Sequence, residues 1–197
     1  MKNSLTPVIL ASQSPRRIEL LKTIIKNFQV IPSNIDETCK SNLSPEENAA
    51  FLSRKKAAWV AKDHPHHLVI GADTLVVLGN EIIGKPVDTE DACKILHRLS
   101  GREHKVITGV TVIHSKTISS FNISRVRIKH LTQSEIVSYV DSGEPMDKAG
   151  AYAAQDHGDF IIDKYSGSYT NVVGLPMSEL KNKLAEEFKI YPESNIS

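Results

Sequence analysis

The stretch VILASQSPRRIELLKTIIKNFQVIP, Val8 to Pro32, sets the class of fold. Val8–Ala11 is an apolar run of strand length. Ser14-Pro15 then marks a helix start, with Ser14 as the capping residue and Pro15 in the first helical position, where its missing N–H costs nothing. A helix over Arg16–Ile25 and a second strand near Phe28–Pro32 complete a β-α-β opening. The same stretch raises a question of charge. Arg16 and Arg17 fall in the first helical turn, where the helix dipole already presents roughly +0.5 charge and each cation is unfavourable by about 0.3–1 kcal/mol. Either both arginines lie in solvent, or the Ser12 and Ser14 hydroxyls, the helix N–H groups and guanidinium together form a site for an anion such as phosphate.

Outward from this opening, strands and helices continue to alternate. Ser44-Pro45-Glu46-Glu47 is a capping box, and its helix is expected to reach about Lys62. HLVIGADTLVVLGNEIIGKP, His67 to Pro86, reads as a strand, a break at Asp73-Thr74 and a hairpin turning at Gly79-Asn80. Ala92, Ile95, Leu96 and Leu99 stand at i, i+3, i+4, i+7, with Gly101 placed to end that helix. Lys105–His114 and Thr117–Ile128 read as two long paired strands. Thr132-x-x-Glu135 caps another helix with Gly143 beyond its end, and Leu180, Leu184 and Phe188 mark a last one. The class is α/β with a mixed sheet, and with no repeat or linker-like tract the 197 residues read as one domain.

Composition narrows function by exclusion. A formal net charge of +1 carries no polyanion-binding signature, so nucleic acid is not an expected partner and any phosphate recognition is local. Cys39 and Cys93, without CxxC or ligand spacing, suggest neither a disulfide framework nor a zinc site, which suits a reducing cytoplasm. No apolar run approaches the roughly 18 residues of a membrane span, and the apolar run near the start is too short for a signal peptide, so no membrane partner is expected.

Several charges fall in apolar surroundings. Asp73 stands in a run otherwise fit for a buried strand; it is either a turn residue or a carboxylate held at a strand end, able to bind a metal or accept a proton. Ile35-Asp36-Glu37 offers a second acidic pair after a strand. On a helical wheel Lys55 and Lys56 share the arc of Phe51, Leu52, Trp59 and Val60, so one faces inward, by snorkelling or toward a phosphate. Gly79-Asn80-Glu81-Ile82-Ile83-Gly84-Lys85 imitates a P-loop, but Pro86 replaces the Ser or Thr that would hold Mg²⁺. Lys85 is left as a cation at a strand end. Gly143–Gly158 and Ser166–Pro176 show no helical or strand period, and their small residues let backbone approach a ligand. The His64, His66 and His67 cluster beside Pro65 reads as a polar loop before it reads as a metal site.

Taken together, Ser12-x-Ser14-Pro15-Arg16-Arg17-x-Glu19-Leu20-Leu21, Lys56-Ala57, Gly71-Ala72-Asp73-Thr74, Gly84-Lys85-Pro86, Asp147-Lys148-Ala149-Gly150-Ala151-Tyr152 and Gly167-Ser168-Tyr169-x-Asn171-Val172-Val173-Gly174-Leu175-Pro176 resemble the Maf-like nucleotide pyrophosphatases. The blocks follow the family's order across almost the whole chain. The resemblance implies an elongated mixed sheet flanked by helices in two lobes with a central cleft, related to the house-cleaning inosine triphosphate pyrophosphatases. It also implies cytoplasmic homodimers and cleavage of a nucleoside triphosphate between the α and β phosphates with a divalent cation, Mg²⁺ or Mn²⁺. By that resemblance Asp73 matches the proton acceptor, and Arg16, Thr74 and Gln155 select the substrate. Glu37 is expected to join Asp73 in activating the water, and the two carboxylates are also the expected metal ligands. Lys56 and Lys85 would neutralise pyrophosphate, and Ser12, Ser14 and Arg17 join the substrate site.

One group of the family acts on dTTP and UTP and another on 7-methyl-GTP. Pro15-Arg16-Arg17, Asp73-Thr74, Tyr152 and Gln155 resemble the first. Asp156-His157 before Gly158 departs from it, since that group usually has Gly directly after the glutamine. The rival expectations are a 7-methyl-GTP or other modified-nucleotide pyrophosphatase, and a non-catalytic nucleotide sensor acting, for example, in cell division.

Overall fold

The computed structural model describes residues 6–155 and 158–191. The opening is a β-α-β unit: β1 (Val8–Leu10) leads into α1 (Pro15–Lys22) and then β2 (Gln29–Val30), parallel to β1. Helix α1 stops short of the expected Ile25 because its last turn tightens, with Thr23 N–H and Thr23 Oγ1 both donating to the Leu20 carbonyl. The chain continues through α2 (Pro45–Ala61), β3 (Leu68–Leu78), β4 (Glu81–Ile83), α3 (Thr89–Leu99), β5 (Glu103–Ile113), β6 (Thr117–Ile128) and α4 (Gln133–Asp141). It closes with α5 (Gly158–Ile161), β7 (Ile162–Ser166), α6 (Tyr169–Val173) and α7 (Met177–Phe188). The strands form one mixed sheet in the order β2-β1-β3-β5-β6-β7, with β4 paired to β3. The pairs of β1 with β2 and β3 are parallel, whereas β3/β4 and β6/β7 are antiparallel.

The chain divides into two compact units, one formed by residues up to Asp73, Thr108–Asn122 and the part from Gly174 on, the other by Thr74–Ile107 and Ile123–Val173. In the first, strand alternation sorts side chains onto two faces. Val8, Leu10, Leu68, Ile70, Ala72, Val110 and Val112 pack with Leu21 of α1, with Ile24 just after it and with Leu180 and Leu184 of α7. Ile9, Ala11 and Val69, on the opposite face, pack with Ala57 and Val60 of α2. Helix α2 sits very close to the sheet because two glycines admit it. A Cβ at Gly71 would lie 2.4 Å from the Ser53 carbonyl oxygen, and one at Gly109 would lie 2.1 Å from that of Ala49. Between them Ser53 Oγ and Thr111 Oγ1 form a buried hydrogen bond of 2.9 Å.

In the second unit the expected helical face of α3 is buried in full, with Ala92, Ile95, Leu96 and Leu99 packing against Ile136, Tyr139 and Val140 of α4 and against Val76, Val106, Val126 and Ile128 of the strands. The capping boxes at Ser44/Glu47 and Thr132/Glu135 are both formed. The P-loop imitation is a hairpin, with Leu78 opposite Glu81 and Gly79 at φ 64°. Two expectations are corrected. Strand β3 runs unbroken through Asp73 and Thr74, so there is no turn there. The segments expected to lack period contain two short 3-10 turns, Glu144–Asp147 and Ala149–Ala151, and helix α6, all too short to declare a period in sequence.

Candidate active site

Asp73 is 5% exposed in the middle of β3, a position that would be prohibitive for a lone carboxylate. The close approach of α2 supplies its partner. Residues 69, 71 and 73 share the strand face that α2 covers, and one turn of α2 beyond Ser53 brings Lys56 over Asp73. Lys56 Nζ donates to Asp73 Oδ1 at 2.6 Å and to Glu37 Oε2 at 2.9 Å. The buried ammonium is thus shared by two carboxylates, and this pairing lets β3 continue through Asp73. Burial pushes the Asp73 carboxyl above its ordinary range, and the charges of Lys56 and Arg17 pull the other way.

Glu37 comes from the loop between β2 and α2, which is fixed at several points. Asp36 Oδ1 accepts from Thr38 N–H at 2.9 Å and from Thr38 Oγ1 at 2.6 Å, and Lys55 Nζ donates to the Asp36 carbonyl at 2.7 Å. The neighbouring lysines therefore divide their work, Lys56 inward onto the carboxylates and Lys55 outward onto the loop. The buried Asn48 holds the loop's far end: its Oδ1 accepts from Lys40 N–H, and its Nδ2 donates to the Lys40, Leu43 and Ser44 carbonyls. Sequence reasoning did not find Asn48; its signal is an amide on the apolar face of a helix, where burial demands several partners. Cys39 lies in the same loop, and burial, with the negative charge of Asp73, raises its thiol pKa.

The helix start settles half of the charge question. Arg17 is not in solvent: its Nε donates to the Gly174 carbonyl at 2.8 Å and its Nη1 to Ser12 Oγ at 3.3 Å. Burial lowers the Arg17 pKa, while the charges of Asp73 and Glu37 raise it and that of Arg16 lowers it. Ser14 occupies the N-cap position, but its side chain makes no capping bond, and its own N–H instead donates to Ser12 Oγ at 3.2 Å. That corrects the expected cap at Ser14. Arg16 is half-buried at the same helix start. In the parallel register Leu10 pairs with Ile70, so Ser12 follows the carboxyl end of β1, the kind of strand end where open α/β sheets commonly bind ligands. Strand β3 runs on beside it through Asp73, which is therefore a mid-strand carboxylate and not one at a strand end.

The first unit thereby brings together Ser12, Arg17, Glu37, Lys56 and Asp73. Thr74, Lys85 and Gln155 belong to the second. There Thr74 is half-buried and alternates to the opposite strand face from Asp73, Lys85 is exposed just after β4, and Gln155 is half-buried. The unusual Asp156-His157 pair lies outside the described residues. The His64 and His67 rings meet edge-on at 5.2 Å, and among the described residues no group of three or more His, Cys, Asp or Glu side chains could hold a metal.

The family model described as Maf-like protein matches residues 7–187. A dTTP/UTP pyrophosphatase of Desulforamulus reducens is 46% identical over 181 residues, covering 90% of this chain and 95% of that protein. One of Clostridioides difficile is 42% identical over 186 residues, covering 93% and 96%. Among solved structures, a HAM1 protein from Coxiella burnetii aligns with a TM-score of 0.52 at 14% identity, over 92% of this chain and 100% of that one, a likeness of fold. A match this long, together with identity above 40% over nine-tenths of the sequence, means that the chain belongs to the Maf-like protein family.

Proposed function

We propose that this chain is a nucleoside triphosphate pyrophosphatase that hydrolyses dTTP and UTP to the monophosphate and pyrophosphate. The observation that carries the proposal is the buried Asp73 carboxylate shared with Glu37 on one ammonium, beside the start of α1, where Ser14 makes no side-chain cap. The relatives named dTTP/UTP pyrophosphatase support the choice of substrate. In this reaction a water oxygen bonds to the α-phosphorus, the bond from that phosphorus to the α–β bridging oxygen breaks, and the water proton passes to Asp73. A carboxyl whose pKa is raised by burial suits that base, because its proton affinity lies closer to the working pH. Arg16 and the α1 N–H groups bind phosphate oxygens, Lys56 and Lys85 offset the charge of the departing pyrophosphate, and Ser12 and Arg17 hold the helix start in place. Thr74 and Gln155 select the base, Gln155 through an amide that both donates and accepts.

The residues present also fit a divalent cation. Asp73 and Glu37 are hard oxygen donors that already converge on one positive charge, and Mg²⁺ is commonly held by one or two carboxylates plus substrate phosphates. Bound there, Mg²⁺ or Mn²⁺ would supply charge neutralisation for the triphosphate. The chain is proposed to act as a single Maf-like domain and as a cytoplasmic homodimer on a small-molecule nucleotide, without nucleic acid or membrane. Free Cys39 and Cys93 suit such a compartment. Among the described residues no helix is long and apolar enough to cross a membrane.

The test is pyrophosphate release over a panel of dTTP, UTP, 7-methyl-GTP and the other common triphosphates, with Mg²⁺, Mn²⁺ or excess EDTA. Release from dTTP and UTP is expected, lost in EDTA and lost in Asp73→Asn while nucleotide still binds. Preference for 7-methyl-GTP would move the chain to the family's other substrate group, and binding without release would make it a sensor.

A further inference from the structure

In the second unit the run approaching Gln155 is held at three successive residues, through the side chain of Tyr152 and the backbone of Ala153 and Ala154. The Tyr152 hydroxyl lies 2.7 Å from His104 Nε2, with His104 and Tyr152 both buried. Ala153 N–H donates to the Tyr139 hydroxyl at 3.0 Å, and the Tyr169 hydroxyl donates to the Ala154 carbonyl at 3.1 Å. The entry to this run is equally constrained. Gly150 and Ala151 both take left-handed backbone, at φ 75° and 55°, and Gly150 N–H donates to the Gly84 carbonyl at 3.0 Å. A left-handed alanine is unfavourable by itself and persists only where its surroundings hold it.

These bonds act on Gln155 through the planarity of the peptide group. The Ala154 carbonyl and Gln155 N–H belong to one rigid plane, so fixing that oxygen fixes the plane from which Gln155 departs. The Ala153 N–H bond fixes the plane two peptides earlier, and the Tyr152–His104 bond anchors the side chain between the glycine-alanine turn and both planes. Tyr139 comes from α4, His104 from β5 and Tyr169 from α6, so three separately packed elements converge on a run of three residues. The Tyr169 ring is itself backed by Tyr165, with centroids 5.7 Å apart. Burial pushes the His104 pKa down to about 4, so a neutral imidazole faces Tyr152 near neutral pH.

We propose that Tyr139 and Tyr169, with His104 acting through Tyr152, are positioning residues that aim Gln155 and so set the enzyme's choice of base. The proposal rests on the reading of Gln155 given under Proposed function. None of the three supporting residues needs to touch the nucleotide, and their effect is expected in discrimination and not in the chemical step.

The experiment compares full-length wild type with Gln155→Ala, Tyr139→Phe and Tyr169→Phe, measuring kcat and KM for dTTP, UTP and 7-methyl-GTP, and amide hydrogen exchange at residues 152–155. Gln155→Ala is expected to collapse discrimination. Each Phe variant should lower the dTTP to 7-methyl-GTP ratio of kcat/KM by about five- to tenfold, the loss of one useful hydrogen bond. That loss should appear as a higher KM for dTTP at nearly constant kcat, with faster exchange at Ala153 and Gln155. Tyr169 is 40% exposed, so Tyr169→Phe keeps its ring without reshaping a core and stays informative if Tyr139→Phe folds poorly. If Gln155→Ala changes the ratio while the Phe variants match wild type in ratio and exchange, the positioning role is refuted and Gln155 keeps its own. A uniform fall in kcat for all substrates would equally refute it, as damage to the fold alone. If Gln155→Ala leaves the ratio unchanged, the base-reading role of Gln155 falls and takes this proposal with it.

Discussion

Gly71→Ala perturbs the candidate site without touching any of its functional groups. The added Cβ would lie 2.4 Å from the Ser53 carbonyl oxygen, 2.8 Å from Ala57 N and 2.9 Å from Ala57 Cβ. Carbon and oxygen rest at about 3.3–3.6 Å in close contacts, so the mismatch is about 1 Å. Two of the three obstructing atoms are α2 backbone and the third is a β-carbon, so no rotamer change relieves them and the helix must move from the strand. Overpacking of this kind costs about 1–3 kcal/mol. For a chain of this size each kcal/mol lowers Tm by about 2–4 °C, giving a fall of about 2–12 °C. The same displacement carries Lys56 away from Asp73, now 2.6 Å apart, and misplacing a site by about 1 Å can cost roughly a hundredfold in rate. Gly84→Ala is the control, since nothing lies within 4 Å of its Cβ and its φ is not positive; its stability should stay within about 0.5 kcal/mol. Thermal melts and pyrophosphate-release kinetics on both variants provide the assay. Gly71→Ala melting and turning over like Gly84→Ala would refute the claim that close approach of α2 assembles the site.

Lys56→Met should cost about 3–5 kcal/mol in urea unfolding, because it strands a buried carboxylate, and adding Asp73→Asn should recover most of that loss. Additive losses in the double variant would show that the two side chains are not coupled. His104 has a folded pKa of about 4 against 6.5 for the free group, so between those values the unfolded chain binds more protons and stability falls as pH falls. The total is about 3 kcal/mol, present above pH 6.5 and lost by pH 4, and subtracting the unfolding curve of His104→Phe should isolate it. The raised pKa of Asp73 acts with the opposite sign in both proteins and cancels in that difference. Identical pH slopes for the two proteins would contradict the buried, neutral imidazole.

Much of the fold is written in local rules. The capping boxes, the 3.6-residue periodicity of α3 and the Gly79-Asn80 hairpin depend on neighbours within a few positions, and each appears as the sequence predicts. The misread places depend on distant partners. Asp73 reads as a break because strand interiors exclude carboxylates, yet Lys56, seventeen residues earlier, removes the objection by pairing with it. Ser14 reads as a cap because the rule is local, but Ser12 takes up its N–H and leaves its hydroxyl out of the cap. Helix α6 is five residues long and offers too little sequence for any period to show. In the site the residue types were legible, and the division between Lys55 and Lys56, the grip of Asn48 on the loop and the Arg17–Gly174 bond were not, since each is a choice of partner across a long gap in sequence.

Those partner choices bear on how a triphosphate can be bound. Within the first unit, Arg16 apart, three cations, Arg17, Lys55 and Lys56, stand with three carboxylates, Asp36, Glu37 and Asp73: Lys56 joins Asp73 to Glu37, Lys55 holds the Asp36 backbone carbonyl, and Arg17 feels the charges of Asp73 and Glu37. Such a cluster is formally neutral and offers a polyanion no net attraction. Positive charge for a nucleotide must come from outside it. One source is the helix start, where Arg16 stands and Ser14 makes no side-chain cap; the other, under the proposed function, would be a divalent cation held by Asp73 and Glu37 in place of the Lys56 ammonium. With a cation held there, the Lys56 ammonium would be available to phosphate. Under the proposed function the ion-paired lysine and a cation-assisted hydrolysis are thus compatible uses of the same residues, and nucleotide binding would depend on cation binding.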